Sequence, residues 1–293
     1  MAEKLVWERD GADWPNRSAS RFVSAGGFRW HVQIMGDGPV LLMLHGTGAA
    51  THSWRDLMPL LARDFSVISP DLPGHGFTAT PAAAQMSLPG MARAVAALLN
   101  VLDVEPQVAV GHSAGAAILA RMCLDGLIAP RALISLNGAM LPLANMPSEI
   151  FAPLAKLMVS LPLVPTIAAR QAGKPASVER LISSTGSTID AEGTKFYRRI
   201  VANPGHVNGA LVMMANWGLR DLARDLPKLK VPLTIIVGSG DRTIPPADAQ
   251  RLRRLLPGAA VVSMPGLGHL AHEEQPEQTA ELIREAAGVV AAA

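Results

Sequence analysis

The stretch Gln107-Val-Ala-Val-Gly-His-Ser-Ala-Gly-Ala-Ala117 constrains this chain more than any other. A short apolar run leads into a serine with glycines two positions before and two after it, and small residues follow. A chain that passes from a buried strand through one serine directly into a helix must bend sharply at that serine. Strand and helix then run so close together that positions 111 and 115 leave no room for a side chain. The bend lifts the Ser113 hydroxyl off the sheet edge and aims the Ala114 N–H, at a helix N-terminus, toward the same point. A chance glycine–serine turn would have neither the buried strand before it nor the small helix face after it.

The surrounding pattern fits an α/β chain. Short apolar runs alternate with longer helical stretches, the signature of a mostly parallel sheet wrapped by helices. Phe28–Met35 alternates and reads as an early antiparallel strand. Val40–Leu44 is continuously apolar, as a strand buried on both faces should be. Similar runs occur at 65–69, 107–110, 132–136, 233–237 and 260–264, with helical patterns such as 90–102 and 114–124 between them. The rhythm fails once. From 136 to 233 no strand pattern appears, far more chain than a crossover needs. We read 138–222 as an inserted helical cap that divides a core of 1–137 and 223–293, and the Ala-rich C-terminal tail is expected to fray.

Composition sets the outer bounds. Of 293 residues 49% are hydrophobic and 17% charged, which supports a sizeable core and excludes long disorder. The net charge is +2, and the basic residues form only short clusters such as Arg251-Leu-Arg-Arg254, so no nucleic-acid partner is expected. A single cysteine, Cys123, forbids an internal disulfide and fits a reducing compartment. With no apolar segment in the first ten residues, the expected location is cytoplasmic. The most membrane-like stretch, 150–169, is uncharged except for Lys156, but Pro153, Pro162 and Pro165 break the helix that a bilayer demands. It reads as a broken, apolar lid segment. No transmembrane segment is expected, and peripheral contact with a membrane surface stays open.

A serine hydroxyl is a poor nucleophile without a base to take its proton and an acid to orient that base. The elbow and its setting resemble the α/β-hydrolase superfamily, which implies a mostly parallel eight-stranded sheet and partners in the order Ser, acid, His. After the run 233–237 comes Gly238-Ser-Gly-Asp241, and after 260–264 comes Gly266-Leu-Gly-His269. Ser113, Asp241 and His269 are therefore the expected catalytic groups. The other position for an acid, after the run 132–136, falls at the uncharged Asn137. Asp248, Asp221 and Asp225 lie in helical pattern or near the cap's return, and His272 is the competing base. His269, His272 and Glu273 do not make a metal site, because no H-E-x-x-H arrangement exists, and no cofactor is implied.

Two N–H donors must hold the oxyanion. Ala114 supplies one, and Thr47 in His45-Gly-Thr-Gly48 supplies the other, with His45 bracing the loop. Pro70-Asp-Leu-Pro-Gly-His-Gly76 resembles the superfamily's D-x-P-G-x-G loop, which shapes the core. His112 reads as packing, and it joins Trp54, Met214 and Trp217 as candidate pocket residues. Met58 has the same standing as Trp54, between pocket floor and core. Cap side chains such as Met140, Met146, Phe151, Leu154, Met158, Met213 and Met214 form apolar stripes, part of which should face a bulky apolar substrate.

Further stretches resemble one branch of the superfamily, the magnesium-chelatase accessory hydrolases of bacteriochlorophyll biosynthesis in phototrophic bacteria. They are Trp14-Pro-Asn-Arg17, Trp30-His-Val-Gln33, Leu44 through Trp54, Gly111 through Ala117, Ser135-Leu-Asn-Gly138, Met213-Met-Ala-Asn-Trp217 and Gly266 through Glu274. The resemblance implies a tetrapyrrole-related substrate and a functional link to magnesium chelatase. Two classes of function follow: a working acyl hydrolase, or a non-catalytic accessory or porphyrin-binding protein with its triad idle.

Overall fold

The structure is a computed structural model that describes residues 3–142, 161 and 163–289. Its strands are β1 (Ser20–Ala25), β2 (Phe28–Met35), β3 (Val40–Leu44), β4 (Ser66–Pro70), β5 (Val108–His112), β6 (Ala132–Leu136), β7 (Leu233–Gly238) and β8 (Ala260–Met264). They form one sheet in the order β1-β2-β4-β3-β5-β6-β7-β8. The first two strands make a hairpin and β2 runs antiparallel to β4; every other pairing is parallel. The expected α/β architecture with an eight-stranded, mostly parallel sheet is the one found.

The continuous apolar runs are explained by burial on both faces. Along β3, Leu42 and Leu44 pack toward the helices Leu88–Leu102 and Ala114–Leu124, while Leu41 and Met43 pack toward Leu57–Leu61 and Pro276–Ala286. Each large apolar side chain removed from water in this way contributes about 1.5–3 kcal/mol. β4 begins at Ser66 rather than at residue 65, because the Phe65 N–H still closes the preceding helix on Leu61 O. β5 runs on through Gly111 and His112, which pair with Ser135 and Leu136, so regular strand continues to the residue before Ser113.

Among the described residues no strand lies between Leu136 and Leu233. The segment instead holds the helices Val164–Ala172, Pro175–Ser184, Ala191–Val201, Pro204–Ala215 and Arg220–Asp225. A separate apolar cluster joins Val178, Ile182, Phe196 and Ile200 of these helices to Trp14, Ala49, Ala50 and Leu270. Val212, Met213 and Leu222 belong to the main core, so the last part of 138–222 packs as a continuation of it. The expectations for Met146, Phe151, Leu154, Met158, Pro153, Pro162 and the Ala-rich tail fall outside the described residues.

The N-terminal segment straps these helices to the sheet. Trp14 is buried, donates from Nε1 to Thr51 Oγ1 (3.0 Å), and packs edge-on against Phe196. Asp13 pairs with Lys195 and Arg199 of the same helix. No helix among the described residues is long and apolar enough to cross a membrane.

The strand–helix crossing is a close backbone contact. A Cβ on Gly115 would overlap the Leu44 carbonyl, and one on Gly111 would overlap the backbone of Ala116. Neither obstacle is a side-chain tip that could swing away. Gly115→Ala should therefore cost about 3 kcal/mol or more, read as a lowered urea midpoint or loss of soluble protein. A variant of native stability would show that the crossing is looser than described.

Candidate active site

Between Val108 and Ala120, Ser113 alone is not buried. It lies at φ 51° and ψ −117°, a region that non-glycine residues rarely occupy. The bend is held by its neighbours: Ser113 N donates to Leu136 O at 3.0 Å, and Ser113 O accepts from Ala116 N and Ala139 N. The backbone strain that the sequence predicts is present, and Ser113 is half-buried where its neighbours are buried.

The two loops after β7 and β8 bring Asp241 and His269 together. His269 Nδ1 lies 2.8 Å from Asp241 Oδ2, so this nitrogen carries the proton and donates to the carboxylate. Asn137, at the end of β6, donates from Nδ2 to the same oxygen at 2.7 Å. Asp241 Oδ1 accepts from Thr243 N (2.7 Å) and Ile244 N (2.9 Å). Among the described residues this network ends at His269 and makes no hydrogen bond to Ser113 Oγ, a bond that is often long in unliganded sites. The expected acid and base are thus joined to each other.

Groups that sequence reasoning missed hold the segment carrying His269. Thr185 O, in the loop after the helix Pro175–Ser184, accepts from both Arg242 N and His269 N. Ser187 Oγ accepts from Leu270 N at 2.8 Å. Glu274 accepts from Gly268 N and Thr188 N. Nothing in the local sequence marks Thr185, because it acts through its carbonyl.

The loop after β3 reaches the serine: a Cβ on Gly46 would lie 2.9 Å from Ser113 Cβ. His45 braces this loop as expected, donating from Nδ1 to Gly46 O and accepting from Leu72 N on Nε2. Among the described residues neither the Thr47 N–H nor the Ala114 N–H finds an acceptor. The pocket candidates fare differently. Trp54 and Met58 are fully buried in the core, and so are not placed as pocket walls. His112 is buried, with Nε2 donating to His269 O at 3.0 Å, which is the packing role. Met214 is 41% exposed; the buried Met213, one residue earlier, has its sulfur 3.6 Å from Thr47 Oγ1. A helix turns by about 100° per residue, so neighbours cannot share a face. Trp217 is half-buried against the main core.

All eight histidines are buried. Burial pulls His45, His52, His75, His112, His206 and His272 below the ordinary imidazole range, His206 to about 4 and His272 to about 3. They are neutral packing groups near neutral pH. Among the described residues only His269 and His31 hydrogen-bond a carboxylate. His31 links Asp71 Oδ2 (2.8 Å) to Ser20 Oγ (3.0 Å), a second Ser–His–Asp arrangement. There Ser20 Oγ also accepts from Gln33 Nε2 (3.2 Å), and Asp71 accepts from Thr51 N and Phe77 N. Burial pushes the Asp71 carboxyl up, but His31 beside it and the other donors outweigh this and hold it well below the carboxylate range. That relay ties β1 and β2 to the Pro70–Gly76 loop. No strand-to-helix bend or glycine-lined loop serves Ser20, which lies in strand β1.

The chain belongs to the alpha/beta hydrolase fold family, whose model matches residues 39–276. It is 38% identical over 264 residues to a Rhodobacter capsulatus protein named magnesium-chelatase 30 kDa subunit, covering 89% of this chain and 92% of that one. It is also 28% identical to pyrrolizixenacetamide deacetylase of Xenorhabdus hominickii, over 86% of this chain and 91% of that one. An alpha/beta hydrolase fold protein from Burkholderia ambifaria superposes with a TM-score of 0.76 at 24% identity, covering 97% of this chain and all of the other.

In the short helix that follows His269, Glu273 belongs to a buried charged cluster. Glu273 Oε1 accepts from Tyr197 Oη at 2.7 Å, and Oε2 pairs with Arg55, which also binds Asp190 and Asp56. Burial pushes the Glu273 carboxyl up to about 7, against Arg55 and Tyr197, which favour its charged form. The folded chain then holds this proton more tightly than the unfolded one, so stability falls as pH rises from the ordinary 4.5 through about 7. Glu273→Gln stays neutral throughout and lacks that slope. Its urea midpoint relative to the native chain should improve between about pH 5 and about pH 8. A difference that stays constant with pH would exclude Glu273 as a source of pH-dependent stability.

Proposed function

We infer that this chain is a serine hydrolase that cleaves an ester or related acyl bond of a bulky apolar substrate. The observation that carries the reading is the half-buried Ser113 in its strained bend, taken together with the hydrogen-bonded His269–Asp241 pair. In this reading Ser113 Oγ attacks the acyl carbon while His269 Nε2 takes the hydroxyl proton. Asp241 keeps His269 in the Nδ1–H tautomer and stabilises the imidazolium that forms. The Thr47 and Ala114 N–H groups receive the tetrahedral oxygen. His269 then returns the proton to the leaving alcohol as the carbon–oxygen bond breaks, and the acyl group stays on Ser113. A water that gives its proton to His269 attacks this acyl-enzyme, and His269 returns that proton to Ser113 Oγ as the acyl–oxygen bond breaks and the acid leaves.

The relative named as a magnesium-chelatase subunit supports a setting in bacteriochlorophyll synthesis, near magnesium insertion, with a tetrapyrrole-related substrate in the cytoplasm. The buried Met213 beside Thr47 supports an apolar substrate side. The word subunit in that name also favours a second reading, in which the chain assists magnesium chelatase or carries a porphyrin without turnover.

A fluorophosphonate probe separates the two. Rapid labelling that maps to Ser113, and that falls by about a thousandfold or more in Ser113→Ala, is the expected result. Absence of labelling under conditions where a control hydrolase reacts would overturn the hydrolase reading and leave porphyrin titration as the measurement for the second one.

A further inference from the structure

The end of β6 touches both halves of the site. Leu136 O and Ala139 N hold the two backbone groups of Ser113, and between them Asn137 reaches Asp241 Oδ2 from Nδ2. Its side chain is buried, and its own backbone is fastened by Asn137 N to Ile236 O at 2.8 Å, in the strand that leads to Asp241. Asn137 also sits at φ 47°, a left-handed conformation that asparagine tolerates better than most residues. The amide nitrogen must face the carboxylate, since an ionised carboxylate only accepts.

We propose that Asn137 is a positioning residue that fixes the distance and orientation of the acid relative to the nucleophile. The proposal rests on the reading of Ser113, Asp241 and His269 given above. Two donors share Asp241 Oδ2, the Asn137 amide and the His269 ring. With the amide in place the carboxylate cannot rotate about its last bond without losing a charge-assisted hydrogen bond in a site closed to water. The backbone donors on Oδ1 fix one end of the carboxylate, and Asn137 fixes the other. The base is thereby kept in one tautomer at one angle, referenced to the same turn that carries the serine.

Asn137→Gly tests this, because glycine adopts the left-handed conformation without strain and removes only the amide. The expected result is a fluorophosphonate labelling rate at Ser113 lower by about ten- to a hundredfold, and with a chromogenic ester a lower kcat at unchanged KM. A structural role alone would move the melting temperature and leave that split absent. Independently of any activity, NMR of 15N-histidine-labelled protein reads the His269 tautomer. The native chain should show Nδ1–H alone, and Asn137→Gly a mixture of the two neutral forms. If His269 remains wholly Nδ1–H in Asn137→Gly, or if labelling stays within about twofold of native, the proposal is overturned. If the native chain itself fails to label, the hydrolase reading falls, and the tautomer measurement still decides the role of Asn137.

Discussion

Everything at this site depends on how closely β5 and the helix Ala114–Leu124 approach the end of β3. Because Gly111 and Gly115 carry no side chains, the helix backbone can lie against the Leu44 and His45 carbonyls. That approach forces the bend at Ser113, and strain of this kind costs about 1–3 kcal/mol. The surrounding structure over-determines it, through Leu136 O, Ala116 N and Ala139 N. The same contact delivers the loop after β3 to the serine, with Gly46 against Ser113 Cβ. The candidate nucleophile and both candidate oxyanion donors therefore follow from one packing constraint.

The helices between β6 and β7 do more than cover the sheet. Their loop at Thr185–Thr188 supplies the carbonyl and hydroxyl that fasten the segments carrying Asp241 and His269. The helix Ala191–Val201 is anchored at one end through Asp190 and Arg55, and further along through Tyr197 and Glu273, four residues after His269. Trp14 and Asp13 hold that helix from the outside. A displacement of these helices would thus be felt at His269 through bonded contacts rather than through loss of cover alone.

Much of this was legible in the sequence because it is written in backbone requirements. Gly111, Gly115 and the apolar runs mark where a strand must meet a helix, and Asp241 and His269 could be picked out by their place after β7 and β8. What was not legible acts through groups that every residue has. The Thr185 carbonyl has no residue-type signature, and Asn137 reads as the place where a carboxylate is missing rather than as the donor that holds one. The pocket was the least legible part. Trp54 and Met58 are buried in the core, and of the neighbouring Met213 and Met214 it is Met213 that reaches Thr47, a choice that helical periodicity decides only once the helix's facing is known.

The Ser20–His31–Asp71 relay shows why side-chain identity alone would have misled. Its serine-to-histidine hydrogen bond is formed, at 3.0 Å, whereas the one between Ser113 and His269 is not. Judged on side chains, it is the better triad. Yet Ser20 lies in a strand, its oxygen already accepts from Gln33, and its acid also serves as an acceptor for Thr51 N and Phe77 N. A hydroxyl so occupied serves the fold. Transition-state stabilisation needs donors aimed at charge that has yet to develop, and such donors must lack partners in the resting protein. Among the described residues Thr47 and Ala114 meet that condition. In the proposed reading it is this pair of free N–H groups, set by the bend, that distinguishes a site able to do chemistry from a hydrogen-bond network that resembles one.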